Sequence, residues 1–174
     1  MTNTDDTRKH LQAWFAGRLP DGWFTGVPQV TVDRDEIQVV GTLAEPELPS
    51  DISAEARIAG IEARIQGFRE DTRSQRMAIA DEAQRRFARK VSWGAACGDR
   101  RQLFTTLSVP AMTRLRLPER KVLDTLVEAG VARSRSHALA WCVRLVAERQ
   151  EDWLADLREA LTHVEAVRGE GPRG

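Results

Sequence analysis

The stretch MTRLRLPERKV, residues 112–122, decides the fold that the sequence predicts for the C-terminal part of the chain. Its side chains alternate between two faces, as they do in a β-strand. One face carries Thr113, Leu115 and Leu117, and the other carries Met112, Arg114 and Arg116. Pro118 cannot donate a hydrogen bond to a continuing sheet, but it suits the first turn of a helix. The stretch therefore predicts a short strand with outward arginines that runs directly into a helix.

Two helices separated by a tight turn are predicted after this strand. The sequence ERKVLDTLVEA (119–129) has its apolar residues at helical spacing, and Gly130 stands where a left-handed residue often ends a helix. Ser134 is a good N-cap for a second helix, whose apolar positions again recur at helical spacing. The predicted order over residues 110–150 is therefore strand, helix, turn and helix.

The predicted strand has no obvious partner nearby in the sequence, and the edge of an unpaired strand exposes N–H and C=O groups. The same strand from a second copy of the chain, antiparallel across a two-fold axis, is the simplest partner. The leucine face would then pack on the helices of the dimer, and Arg114 and Arg116 would face solvent. Because a two-stranded ribbon fits the major groove of B-DNA, these arginines are expected to form bidentate hydrogen bonds with guanine.

This layout over residues 110–150 resembles the ribbon-helix-helix DNA-binding family, which includes the Arc, MetJ and CopG repressors. The resemblance implies that the outward strand residues contact base edges, namely Met112, Arg114 and Arg116. It also implies that the start of the second helix grips a DNA phosphate through Arg133, Ser134, Arg135 and Ser136. The chain departs from the family pattern at Met112, which is a poor reader of bases, and at His137, where an acidic residue is frequent.

Simpler alternatives exist for these assignments. Arg114 and Arg116 are also compatible with an ordinary solvated strand face, and Ser134 and Ser136 are compatible with helix capping alone. The basic segment RRFARK (85–90) could contact phosphate, although a solvated helix face is the commoner explanation.

The distribution of charge favours local binding to a polyanion. The chain has 26 basic and 26 acidic residues, so its formal net charge is zero. Residues 110–150 carry eight bases against four acids, and residues 52–109 carry eleven against seven, whereas both ends of the chain are acidic. A basic central region can bind DNA even though the whole chain is neutral.

The N-terminal part of the sequence indicates a helix followed by a β-hairpin. Residues 6–18 have apolar residues at helical spacing, and residues 29–43 alternate on both sides of a polar turn. The aromatic residues of this part are expected to form a small core under the hairpin, with a ligand or partner site as the alternative. A linker that contains two prolines (44–53) follows.

The pattern from residue 52 to 91 is helical, with apolar residues at heptad spacing. The polar run REDTRSQR (69–76) interrupts this apolar spacing, so either one long helix continues through the polar run or two helices meet there. The segment SWGAACGDRRQ (92–102) is rich in small residues and indicates a break and a domain boundary.

The predicted fold class is mainly α with short β. It comprises a small N-terminal helix plus β-hairpin (1–48), a long central helix or helix pair that is coiled-coil-like (52–91), and a C-terminal ribbon-helix-helix module (104–167). Leucines beyond residue 150 continue at helical spacing, which predicts an extension of the second helix or a coiled-coil arm that packs on residues 52–91. Residues 168–174 are expected to form a disordered tail.

These patterns predict a homodimeric, sequence-specific DNA-binding protein that acts as a transcriptional regulator, such as a repressor. Its expected partners are double-stranded DNA and a second copy of the chain, which it contacts through residues 110–118 and the flanking helices. Residues 1–90 are available for an effector or a protein partner. Two alternatives stay open: an antitoxin of the same fold, and a helical scaffold that binds no nucleic acid.

The sequence carries no pattern typical of an enzyme or of a metal site. Its three histidines are scattered, there is no glycine-rich phosphate loop, and Cys97 and Cys142 lack the spacing of zinc ligands. No cofactor is therefore expected. The chain also lacks a signal peptide and any apolar run of about 18 residues, so a cytoplasmic, nucleoid-associated location without membrane contact is expected.

Overall fold

The computed structural model describes residues 4–170, and for residues 4, 5, 162 and 165–170 it describes the backbone alone. Within this range the chain forms six helices and four strands. They are, in chain order, α1 (Thr4–Arg18), β1 (Gln29–Val32), β2 (Glu36–Thr42), α2 (Ala54–Asp71), α3 (Arg73–Phe87), β3 (Lys90–Cys97), β4 (Arg100–Leu103), α4 (Leu117–Glu128), α5 (Arg135–Arg149) and α6 (Glu151–Glu170). The chain divides into two compact units, one up to Pro110 and one from Ala111.

The first unit is built on a four-stranded mixed sheet in the order β1-β2-β3-β4. β1 and β2 form the antiparallel hairpin that the alternation predicts. Asp33 fixes its turn, because the carboxylate accepts hydrogen bonds from the backbone N–H groups of Asp35 (2.8 Å) and Glu36 (2.7 Å). β2 and β3 are parallel, and α2 and α3 form the crossover that parallel neighbours require. β3 and β4 are antiparallel.

The three helices of this unit pack on one face of the sheet. α1 and α3 contribute Leu11, Phe15, Ile79 and Ala83 to a buried cluster with Trp93 of β3. α2 contributes two isoleucines to a second cluster that contains Leu43, Ala95 and Cys97. Since burying a large apolar side chain contributes about 1.5–3 kcal/mol, contact with the sheet is the main source of stability for these helices.

The predicted fold class is wrong, because residues 4–170 form an α/β fold with a four-stranded mixed sheet, and residues 112–117 form no strand of a ribbon. Residues 105–116 form neither helix nor strand, and Leu117, which was expected to end a strand, begins α4. The alternation of side chains across residues 112–117 reflects an extended backbone, as at Arg116 (φ −81°, ψ 175°). An extended backbone becomes a strand only when a neighbour pairs with it, and within residues 4–170 no segment does.

The coiled-coil-like character predicted for residues 52–91 is also wrong. The segment forms two helices, as one of the alternatives allowed, and they meet at Thr72 within the polar run. The apolar residues at heptad spacing contact the sheet: Ile61 and Ile65 lie in the cluster with Ala95 and Cys97. Heptad spacing over a few turns is equally suited to a helix that packs on a sheet.

No break occurs at residues 92–102, because the inner strand β3 and the edge strand β4 lie there. Small residues are required because β3 is covered closely. A Cβ atom on Gly94 would lie 2.8 Å from the carbonyl oxygen of Gln102 on β4. Gly98, at φ +56°, forms the turn between the two strands. The run of small residues therefore reflects a crowded strand.

In the second unit α4 and α5 pack around a small core of Leu123, Ala132 and Ala138, and α6 follows α5 along the chain. α4 begins with Pro118 in its first turn, and Gly130 adopts φ +74° beyond its end, both as predicted. The predicted extension of the second helix is wrong in its details, because α5 ends at Arg149 and α6 begins at Glu151 after the non-helical Gln150. Two helices separated by one residue therefore replace the single long helix.

The predicted tail at residues 168–174 begins within α6, which continues to Glu170. Residues 171–174 lie outside the described residues, as do residues 1–3 of the predicted N-terminal module. None of the described helices is long and apolar enough to cross a membrane.

Candidate functional site

The residues predicted to read DNA bases lie on the extended segment before α4. Met112 is 99% exposed, and Arg114 and Arg116 are also exposed. Arg116 is the N-cap residue of α4 through its backbone, since its carbonyl oxygen accepts a hydrogen bond from the N–H of Arg120 (3.1 Å). Neither guanidinium group forms a hydrogen bond or an ion pair with any part of the chain that the structure describes. Both are therefore available to an external anion.

The residues predicted to bind phosphate lie at the start of α5, where they also make a helix cap. Ser134 Oγ accepts a hydrogen bond from the backbone N–H of His137 (3.2 Å). The backbone N–H of Arg133 donates to His137 Nδ1 (3.3 Å), which places the proton of a neutral His137 ring on Nε2. Ser136 and the side chain of Arg133 are exposed. The capping interpretation of Ser134 is confirmed, and it leaves phosphate contact possible.

Arg135 is already engaged by a carboxylate. Its Nε and Nη2 groups donate to the two oxygens of Asp124 on α4, at 2.6 and 2.7 Å. These hydrogen bonds lower the pKa of Asp124 and raise the pKa of Arg135. A DNA phosphate at this position would have to compete with Asp124, so Arg133 is the freer of the two predicted arginines.

Three of the predicted residues meet in a cleft of about 360 Å³ in the second unit, namely Met112, Arg135 and Ser136. Leu115 and Leu123 form its apolar wall, and Arg120 lies beside them. Arg120 Nη1 donates to the carbonyl oxygen of Leu115 (2.7 Å), which ties the extended segment to α4. Arg114, Arg116 and Arg133 do not line this cleft.

The helices of the second unit also leave large apolar side chains in solvent. Val143 and Val146 of α5 are 64% and 47% exposed. On α6, Trp153, Leu157, Leu161 and Val164 are exposed at steps of three and four residues, which places them on one side of the helix. Exposed apolar surface at regular helical spacing is typical of helices that contact another protein chain.

Sequence reasoning missed a second basic site, in the first unit. Arg69, Arg73 and Arg76 line a cavity of about 580 Å³ against Trp93 and Phe104, and we call it the arginine cleft. Its arginines come from the end of α2 and the start of α3, at positions i, i+4 and i+7. That spacing was visible in the polar run at 69–76, but only the fold shows that an aromatic wall faces it.

Metal binding finds no support among the described residues, where no group of three or more His, Cys, Asp or Glu side chains could hold an ion. Cys97 is buried under α2, and burial raises the pKa of its thiol. Cys142 is free and partly buried.

Comparison with known proteins gives matches over both units. Residues 9–103 match the family model described as "Rv1265-like protein, N-terminal domain", and residues 116–168 match "Mb1296 C-terminal domain". The chain is 59% identical over 159 residues to "Uncharacterized protein Mb1296" of Mycobacterium bovis and to "Uncharacterized protein Rv1265" of Mycobacterium tuberculosis. Each alignment covers 91% of this chain and 69% of the relative. No solved structure matches the chain significantly.

Proposed function

The chain belongs to the Rv1265-like protein family, and we propose that it is a homodimeric DNA-binding protein that regulates transcription. In this proposal the second unit contacts the duplex through the exposed arginines of its extended segment and of the α4–α5 turn. The protein acts in the cytoplasm, on the nucleoid. The two-stranded ribbon expected from the sequence is not part of the proposal.

The observation that carries the proposal is the set of unengaged guanidinium groups on the second unit. Arg114, Arg116 and Arg133 are exposed, and none of them pairs with a carboxylate within residues 4–170. An arginine without a partner presents a planar fork of donors that suits phosphate and guanine alike. Residues 110–150 as a whole carry eight bases against four acids. This excess of positive charge provides the sequence-independent part of DNA binding.

The position of two of these arginines on an extended segment suggests how they contact DNA. Arginines on extended arms reach into the minor groove or follow the phosphate backbone in several DNA-binding folds, and they need no sheet for this. Residues 105–116 form no helix or strand, and in this proposal Arg114 and Arg116 contact DNA from this segment. In this proposal Arg133, which precedes the N-cap residue of α5, adds a phosphate contact next to the helix N-terminus.

The exposed apolar residues of α5 and α6 support a homodimer. Val143 and Val146 would be costly to leave in water, and a second copy of the same surface across a two-fold axis would cover them. A dimer doubles the number of arginines that contact one duplex. Because each phosphate contact releases counterions, this doubling raises affinity steeply at low salt.

DNA binding is best tested with the full chain and a labelled random-sequence duplex, by fluorescence anisotropy. We expect Arg114→Ala/Arg116→Ala to weaken binding at least about tenfold, which is the loss of about 1.4 kcal/mol of binding free energy. The matched control is Arg34→Ala/Arg100→Ala, which removes two exposed arginines from the first unit. Equal weakening by both variants would contradict the assignment to the second unit.

A second candidate function is a protein-interaction module that binds no nucleic acid. The exposed apolar side of α6, with Trp153 at 54% exposure, favours it. In that case the chain would not bind the duplex at any salt concentration, whereas removal of the apolar residues of α6 would abolish binding to a partner protein. An antitoxin function would belong to this class if the partner were a toxin.

A further inference from the structure

We propose that the arginine cleft of the first unit binds a small organic phosphate, with the phosphate on the arginines and a planar apolar group against Trp93 and Phe104. The cleft lies between α2, α3 and β3, and its volume of about 580 Å³ is within the range of small-molecule sites. This inference does not depend on DNA binding by the second unit.

Arg76 is the main observation, because it is a buried cation without a buried anion. Arg76 is only 5% exposed, and within residues 4–170 no carboxylate pairs with its guanidinium group. Its Nε donates to Thr72 Oγ1 (3.0 Å), its Nη2 donates to the carbonyl oxygen of Arg69 (2.6 Å), and its guanidinium carbon lies 4.9 Å from the centre of the Phe104 ring. These neutral partners hold the guanidinium group in place without neutralising it.

The neighbouring charges make the burial of Arg76 more costly. Burial lowers its pKa, and repulsion from Arg69 and Arg73 lowers it further. Three guanidinium groups line the cleft, whereas Glu70 is the one carboxylate among the described residues that line it. Glu70 also accepts a hydrogen bond from Gln66. The lining therefore has an excess of two positive charges, which matches the charge of a phosphate monoester near neutral pH.

Trp93, in the wall of the cleft, is buried together with its indole N–H group. Trp93 is 3% exposed, and its indole Nε1 has no hydrogen-bond partner among the described atoms. A buried N–H group without an acceptor is unfavourable. Trp93 lines the cleft, so a planar group bound there would lie against its indole ring.

The walls of the cleft fit an organic group as well as a phosphate. Phe104 and Val91 line it beside Trp93, and they offer apolar surface. Thr105 adds a hydroxyl group, whose oxygen accepts a hydrogen bond from the backbone N–H of Trp93 (3.1 Å) and whose proton remains available to a ligand. An arginine fork opposite an aromatic wall is suited to a ligand with a phosphate at one end and a planar group at the other.

The test uses the full chain with phenyl phosphate, inorganic phosphate and phenol as probes. Binding is followed by calorimetry and by the NMR signal of the Trp93 indole Nε1–H, which is identified from a Trp93→Phe variant. We expect phenyl phosphate to bind with a Kd below about 1 mM and to shift this signal. Inorganic phosphate should bind at least about tenfold more weakly, and phenol should not bind.

Variants on the cleft separate specific binding from general attraction of anions. Arg69→Ala/Arg73→Ala removes two exposed arginines of the cleft and should weaken the binding of phenyl phosphate at least about tenfold. Arg85→Ala/Arg86→Ala removes the same charge from the other end of α3 and should leave the Kd unchanged. Circular dichroism establishes that both variants are folded.

Three results would overturn the proposal. They are the absence of saturable binding of phenyl phosphate, equal effects of the two double variants, and equal affinity for phenyl phosphate and inorganic phosphate. Loss of binding to a DNA duplex in Arg69→Ala/Arg73→Ala, together with no response to phenyl phosphate, would instead assign the cleft to DNA phosphates. Failure of DNA binding by the second unit would leave the phenyl phosphate measurements unaffected.

Discussion

Arg135 and Asp124 join the N-terminus of α5 to the middle of α4 through two hydrogen bonds of 2.6 and 2.7 Å. The two helices are otherwise connected by a tight turn and a small core of Leu123, Ala132 and Ala138. The ion pair therefore fixes the orientation of the helix start on which Ser134 and Ser136 lie.

The ion pair should make the stability of the second unit depend on pH. The hydrogen bonds from Arg135 lower the pKa of Asp124 in the folded state. A lowered folded-state pKa means that the carboxylate contributes stability above its unfolded pKa of about 4, and that this contribution is lost as the pH falls through the folded-state pKa. We expect Asp124→Asn to have a lower melting temperature than the wild type at pH 7, by about 1–4 °C for an exposed pair.

Thermal unfolding at a series of pH values checks this prediction. The difference between the wild type and Asp124→Asn should begin to shrink as the pH falls below about 4, where the carboxyl group of the unfolded chain is protonated, and it should vanish below the lowered folded-state pKa. Glu128→Gln, on the same helix and exposed, is the control and should show no such difference at pH 7. A constant difference across the whole range would contradict the role of the Asp124 charge.

Ser134 and Ser136 should differ in their effect on stability although they are two residues apart. Ser134 Oγ accepts the hydrogen bond that caps α5, so Ser134→Ala should lower the free energy of unfolding by about 1 kcal/mol. Ser136 is exposed and makes no cap, so Ser136→Ala should have little effect on chemical denaturation. Equal destabilisation by both substitutions would show that the cap assigned to Ser134 is wrong.

Two glycine-to-alanine substitutions should change the free energy of unfolding in opposite directions. At Gly94 a Cβ atom would lie 2.8 Å from Gln102 O and from Leu103 Cδ2, so Gly94→Ala should destabilise the first unit by about 1–3 kcal/mol. At Gly67, inside α2, no atom lies within 4 Å of the added Cβ, so Gly67→Ala should stabilise the helix by about 0.5–1 kcal/mol. Urea unfolding measures both; tolerance of Gly94→Ala would mean that β3 and β4 do not pair as described.

The homodimer can be tested on the exposed side of α5. Val143→Asp/Val146→Asp should convert a dimer into a monomer in light scattering at micromolar concentration, because charges would be buried against a second copy. Val27→Asp replaces a valine of the first unit that is 68% exposed, and it should leave the dimer intact. A wild-type chain that is monomeric at every concentration would contradict this part of the proposal.

Local signals in the sequence predicted those elements whose residues determine them directly. The hairpin of β1 and β2 follows from strict alternation around a polar turn, and the starts of α4 and α5 follow from Pro118 and Ser134. Gly130 was placed correctly because its left-handed backbone needs no information beyond the turn itself.

The remaining features depend on neighbours that the sequence does not identify. β3 was missed because Gly94, Ala95 and Ala96 are small for reasons of close packing, which a pattern of small residues does not distinguish from a loop. The ribbon was wrongly predicted because alternation indicates an extended backbone and says nothing about a pairing partner. The arginine cleft was missed because Trp93 and Phe104 reach Arg76 only through the folded sheet.

The most direct test of DNA binding by the second unit is the slope of log affinity against log salt concentration for a random-sequence duplex. Each phosphate contact contributes about 0.9 to this slope, so Arg114→Ala/Arg116→Ala in a dimer should reduce its magnitude by about 2–4. We predict a steep loss of affinity between about 50 and 200 mM salt for the wild type and a shallower loss for the variant. Identical slopes and affinities for the two proteins, with the dimer intact, would contradict it.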